Sequence, residues 1–162
     1  MGLIEFQREQ SIDQVFRNFG YNSDIDTTTN PEDIWDYGGQ YTFGSDSGET
    51  IRVSSSNTGD TDSFTVQGLD ENFLNKSVTL NLSGQTPVTV GTFSRVFGAF
   101  NAGSTDLNGN VYSYGTGTVT NGTPQSDSMV RSMVKPAYQQ TQMAIYTVPA
   151  NYNAYICDIT CS

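Results

Sequence analysis

Asn30 to Phe43, read as NPEDIWDYGGQYTF, gathers the side chains of this chain best suited to chemistry. Glu32, Asp33 and Asp36 flank Trp35, the only tryptophan. A glycosidase needs just two such carboxylates. The competing reading places Glu32 and Asp33 at the positive end of a helix dipole, where acids are favoured, and the pattern prefers it. The chain has no histidine. That removes the commonest general base, the Ser-His and Cys-His nucleophile pairs and histidine-bearing metal sites. Asp106–Asn110 (DLNGN) and Asn57–Asp62 (NTGDTD) offer oxygen ligands. A calcium loop supplies more carboxylates and a distal Glu, whereas Asn-Gly is the strongest hairpin-turn signal, so both read as hairpin turns. The Gly-rich YGTGTVTNGT has no following Lys and opens no helix, so it fails as a phosphate loop. Cys157 and Cys161 cannot complete a zinc site alone, and their strand-like spacing predicts unpaired thiols. Tyr112, Tyr114, Tyr138, Tyr146, Tyr152 and Tyr155 are able to stack sugars, or to pack cross-strand with their hydroxyls at the rim. The expectation is no catalytic residue, no cofactor and no metal.

The elements that position these groups come in two rhythms. Ile12, Val15, Phe16 and Phe19 recur at helical spacing, with Ser11 and Gln14 as a capping box and Gly20 as a stop. A helix over about Ser11–Phe19 is too short to persist alone. Its four apolar side chains are read as the interface of a docking arm, joined by the polar YNSDIDTTTN. The expected division is an arm at 1–30 and a β-sandwich at 31–162. In the opening motif, Asn30 caps and Pro31 suits a first helical position, while Gly38 and Gly39 end the turn. A strand should follow at Gln40–Phe43. Pro31, Trp35, Gly38, Gly39 and Tyr41 are read as a structural motif that anchors the start of the domain or a contact between subunits.

From there the period is two. ETIRVSS, DSFTVQG, SVTLNLSG, TPVTVG, FSRVFGAF, NVYSYGTGTVT, TQMAIYTVP and YNAYICDIT alternate, separated by turn signals such as LDEN, SGQTP and TNGTP. SDSMVRSMVKPAY interrupts them as a helical turn or an ordered loop. The fold class predicted is all-β, an antiparallel sandwich of jelly-roll or immunoglobulin-like type with a short helical N-terminal arm. Its core should include Ile51, Val53, Phe64, Val66, Val78, Leu80, Leu82, Val88 and Val90. AIYTVPANYNAYICDITCS reads as a closing hairpin. Its last strand either pairs across a subunit boundary or marks a domain truncated at its C-terminus.

Length and charge set the remaining bounds. A chain of 162 residues supports one domain. Aromatic residues are 12% and charged residues 15%, the reverse of a disordered chain. The net charge of −10, from 17 acids and 7 bases, disfavours nucleic acid and anionic membranes and suits a basic protein partner. The beginning, MGLIEFQREQ, lacks the features of a secretory signal and of a myristoylation site.

The run from Pro31 to Tyr41 resembles that of small, β-rich virion structural proteins of tailed bacteriophages, marine podovirus-like ones in particular. FTVQGLDENF…SVTLNLSGQTPV is similar to their strand–turn–strand, and MAIYTVPANYNAYI to their late hairpin. The resemblance implies a non-enzymatic particle component, associated with the capsid (decoration or cement) or with the head–tail junction or fibres. It implies docking on other virion proteins, a homo-oligomer, assembly in the host bacterial cytoplasm and a place in the virion. The alternative function is a carbohydrate-binding sandwich that contacts host surface glycans.

Overall fold

The computed structural model describes residues 18–23 and 31–156. Among the described residues nine strands follow one another: β1 (Glu49–Ser55), β2 (Ser63–Leu69), β3 (Asn75–Asn81), β4 (Val88–Phe93), β5 (Arg95–Asn101), β6 (Val111–Tyr114), β7 (Val119–Thr120), β8 (Thr123–Pro124) and β9 (Val130–Val134). A four-stranded sheet runs β4-β1-β6-β9, a three-stranded sheet runs β3-β2-β5, and β7-β8 form a small ribbon. Every pairing is antiparallel. The first two sheets pack face to face. All-β architecture, predicted from the alternation, is what the described residues adopt.

The main core lies between the sheets. Ile51, Val53, Phe64, Val66, Leu82 and Val90 are buried there with Phe93, Val96, Leu107, Val111 and Val134. Val78, Leu80 and Val88, expected fully inside, are only partly buried against this core. The reason is topological: β3 and β4 are edge strands, and an edge strand has neighbours on one side only. Leu80→Ala is therefore expected to cost about 2 kcal/mol, the bottom of the range for such truncations, against about 3–5 for the fully buried Phe64→Ala. Urea midpoints of the two variants check the order, and equal losses would place Leu80 as deep as Phe64.

A second apolar cluster covers the other face of the four-stranded sheet. Tyr112 and Tyr114 of β6 and Val130 and Met133 of β9 pack there with Met129, Trp35 and Met143. Both faces of β6 and β9 are thus covered, and every residue of the two strands is buried. This corrects the sequence reading of SDSMVRSMVKPAY. Its start is a single 3-10 turn, Asp127–Met129, but Val130–Val134 is a strand. A strand buried on both faces shows no alternation to read.

Several other expectations are corrected. Residues 31–39 form no helical turn; Trp35 pairs with Met143 in an isolated bridge, and Asp36–Tyr37 make a turn. Gln40–Phe43 is not a strand. The two strands of the closing hairpin are absent among the described residues: from Gln140 to Ile156 there are isolated bridges at Gln140 and Met143 and a turn at Ala150–Asn151. Asn57–Asp62 and Asp106–Asn110 are not hairpin turns, since each joins strands of different sheets. The Asn-Gly signal does hold at Asn121-Gly122. Both residues have positive φ, 49° and 74°, as a type I′ turn between β7 and β8 requires.

Candidate docking surface and its anchoring loop

The Trp35 loop is held by its own acids. Glu32 Oε2 accepts from Asn22 Nδ2 at 2.9 Å and from the Gly39 amide at 3.4 Å. Asp33 Oδ2 accepts from the Tyr41 amide at 2.7 Å. These carboxylates serve the amides of a turn rather than the start of a helix, which is why the expected helical turn does not form. Gly38 and Gly39, with φ of 84° and 68°, take the left-handed backbone that bends the chain back. The Trp35 indole N–H then donates to the Gly39 carbonyl at 3.1 Å. The indole is 2% exposed. It meets Tyr37 at 5.2 Å and Tyr41 edge-on at 5.0 Å. Tyr41 reaches across the domain to donate to the Val96 carbonyl at 3.0 Å. Pro31 is exposed at the start of the loop. The motif residues Trp35, Gly38, Gly39 and Tyr41 are therefore brought together, as a clamp on the second cluster.

Asp36 stands apart from the other two acids. It is buried, and burial pushes its carboxyl up to about 6, against the pull of Lys135 and of the Gln142 amide. No carboxylate is among the groups that shape its charge.

The two acidic loops considered as oxygen-ligand sites meet each other. Asp60 is buried and accepts from Ser55 Oγ at 2.6 Å and from the amides of Asn108 and Gly109 at 2.9 and 3.0 Å. Asp62 accepts from Thr105 Oγ1 at 2.7 Å and from the amides of Ser63, Ser104 and Thr105. Burial pushes the Asp60 carboxyl up, but the donors from Ser55, Asn108 and Gly109 together hold it below the ordinary carboxylate range. The Thr105 hydroxyl and the three amides do the same for Asp62. Acceptors filled by N–H and O–H donors fasten one sheet crossing to the other. Among the described residues no group of three or more acids or thiols is placed to hold a metal ion.

Lowered folded-state values stabilise above the unfolded carboxylate value of about 3.9, and that contribution is lost as pH falls through the folded value. The melting midpoint is thus expected to drop on acidification below about pH 4. Asp60→Asn should cost about 1–3 kcal/mol at neutral pH, because one amide oxygen cannot serve all these donors, and should flatten the acid limb. Thermal melts across pH check both, and an unaltered acid limb would remove Asp60 as its source.

Of the arm residues, Ile12, Val15 and Phe16 lie outside the described residues. Asn18–Ser23 carry no helix. Phe19 is 55% exposed. The stretch lies along the late segment: Asn18 Nδ2 donates to the Ile145 carbonyl at 3.2 Å and the Tyr21 amide to the Gln142 carbonyl at 3.2 Å. Cys157 and Cys161 lie outside the described residues.

Of the tyrosines read as sugar stackers, Tyr112 and Tyr114 are buried in the second cluster, while Tyr138, Tyr146, Tyr152 and Tyr155 are exposed. Val148 and Ile156 are exposed beside the last three. No family model matches this chain, and neither a curated protein nor a solved structure does. Hollows of about 220 and 170 Å³ open on the described surface. Both are below the ~300–1,000 Å³ usual for small-molecule sites. Among the described residues no helix is long and apolar enough to cross a membrane.

The sequence reading missed three features of this surface. Arg95 is stacked between Phe43 and Phe73, at 5.3 and 5.2 Å from their centroids, and paired with Asp46. Arg131 is buried on Glu49. Lys76 spans the open edges of the two sheets, from β3 to the Thr92 carbonyl of β4 at 2.8 Å. The last was legible, since a lysine in an edge strand is a common guard. The other two join residues far apart in sequence and leave no local signal.

Proposed function

We propose that this protein is a non-enzymatic structural component of a bacteriophage virion and acts by protein–protein docking. Its place is on the capsid as a decoration or cement protein, or at the head–tail junction or a fibre anchor. The observation that carries the docking reading is the stretch Tyr146–Ile156. It takes part in no strand among the described residues, yet it exposes Tyr146, Val148, Tyr152, Tyr155 and Ile156, the last at 81%. Apolar side chains concentrated on a stretch without strands, bent once by the turn at Ala150–Asn151, suit docking on a partner surface. The resemblance of the Pro31–Tyr41 run supplies the class of particle. The partners are other virion proteins and further copies of this chain. The charge of −10 favours a basic protein surface over nucleic acid or an anionic membrane. Assembly takes place in the host bacterial cytoplasm. The proposal extends to fold subtype: four strands facing three favour the immunoglobulin-like count over the eight of a jelly roll.

A second reading, glycan binding, draws on the smaller hollow, where Phe19, Phe97, Phe100, Gln67 and Gln140 come together with no charged side chain in the lining. Negative-stain images of particles with and without the protein, with sedimentation of the pure protein, test the first reading. Loss of a defined density together with a species heavier than 17.7 kDa supports it. Unchanged particles and a monomer sink it, and binding on a glycan array then favours the second.

A further inference from the structure

Asp36 Oδ1 is a buried side-chain oxygen with no hydrogen-bond partner. It is the atom of this kind among the described residues, in a side chain that is 8% exposed. Buried polar atoms are otherwise satisfied almost everywhere in folded proteins, and an exception calls for a role. The carboxyl sits in a seam between two segments that lie outside the sheets. Its Oδ2 accepts from the Gln142 amide at 3.2 Å. Beside it Trp35 bridges Met143, and the Ala144 amide donates to the Ile34 carbonyl at 2.8 Å. On the far side the Gln142 carbonyl accepts from the Tyr21 amide.

The charges around the seam are few. Lys135, just after β9, is the charged group that acts on Asp36. The stretch 140–145 contains no ionisable side chain, and 18–23 contains only the Tyr21 phenol. On the loop itself Glu32 and Asp33 are occupied by the Asn22 side chain and by the amides of Gly39 and Tyr41. The Tyr37 hydroxyl donates to Asp127 at 2.6 Å.

We propose that Asp36 is a pH-sensitive latch: protonated, its carboxyl holds the segment 140–145 to the Trp35 loop, and ionised it loosens that seam. A neutral carboxyl tolerates an apolar seam, whereas a carboxylate with one long hydrogen bond and no contact ion pair does not. Burial accordingly pushes the group up to about 6. A folded value above the unfolded one of about 3.9 gives stability that is present at low pH and lost as pH rises through 6. A difference of about two pH units lets the closed-to-open ratio of the seam fall by up to roughly 100-fold across that window. The stretch 140–145 leads directly into Tyr146–Ile156, so the latch sets how firmly that exposed stretch is held.

Trp35, the only tryptophan, makes the test local. Its emission and its quenching by acrylamide should be followed from acid to mildly alkaline pH, in the native protein, in Asp36→Asn and in Lys135→Ala. The native protein should show a red shift and rising quenching with a midpoint near 6. Asp36→Asn should abolish the transition. Lys135→Ala should move it to higher pH, because Lys135 favours the ionised form. Exchange of the Gln142 and Ala144 amides, corrected for intrinsic rate, should accelerate by up to roughly 100-fold over the same range while β2 amides stay protected. A flat native profile, a transition that survives in Asp36→Asn, or β2 exchange rising in step with Gln142 each overturn the latch. Should Asp36→Asn not fold, Lys135→Ala decides alone, and an unmoved midpoint overturns it.

Discussion

Glu49→Leu is expected to destabilise the fold by about 3–5 kcal/mol, although it replaces a charged side chain with an apolar one of similar size. Glu49 opens β1, and its Oε1 accepts from Arg131 Nε at 2.5 Å. Arg131 is the extra residue of a bulge, since Ser113 pairs with Ser132 and Tyr114 with Val130. The bulge turns the guanidinium inward, where it is 6% exposed. Its Nη1 donates to the carbonyls of Ser128 and Val130. A Cβ on Gly44 or on Gly115 would clash with the Glu49 carboxylate, so two glycines are what allow the acid to sit there. Removing the acid leaves a buried cation with carbonyls alone, and a leucine blocks the water that would otherwise hydrate it. The double variant Glu49→Leu/Arg131→Met should recover most of the loss, because the charges cost desolvation on both sides. Urea unfolding of the two single variants and the double variant gives the coupling directly. A loss below about 1 kcal/mol for Glu49→Leu would mean that the pair behaves as a surface ion pair.

The same pair shows where the sequence stops being legible. Alternation is a local signal, and it located β1 to β6 and the fully buried Ile51, Val53, Phe64 and Val66. The turn signal TNGTP located the turn at Asn121-Gly122. Alternation failed at β9, where Tyr112 and Met133 are covered on one face and Val111 and Val134 on the other. It failed again at 141–156, where a two-residue rhythm describes a chain that forms one isolated bridge, Met143 to Trp35, and no strand. In the Trp35 motif the residues were read as structural, on a helical turn. That turn does not form, because the acceptors of Glu32 and Asp33 are claimed by Gly39 and Tyr41 once the glycines fold the chain back. Asp36 looked like its neighbours in sequence. Its distinction comes from contact with a segment more than a hundred residues later, which no spacing rule reports.

Trp35→Ala is expected to cost about 3–5 kcal/mol, as much as a truncation between the two sheets. Outside the sheets, few elements cover the faces of β6 and β9. The indole fills the centre of that cover, against Tyr37 and Tyr41 and in one cluster with Tyr112, Tyr114, Met133 and Met143. Its loss opens a cavity that Gly38 and Gly39 do not fill, and leaves the Gly39 carbonyl without the indole donor. Trp35→Phe keeps most of the volume and should cost about half as much, chiefly through that hydrogen bond and a residual void. Phe64 belongs to the other cluster, so Trp35→Ala and Phe64→Ala should add to within about 0.5 kcal/mol if both layers unfold together. Far-UV circular dichroism in urea measures all of these without the lost fluorophore. If Trp35→Ala leaves the midpoint within error of the native protein, the loop layer opens independently of the sandwich. The second cluster would then be an attached flap rather than part of the cooperative core.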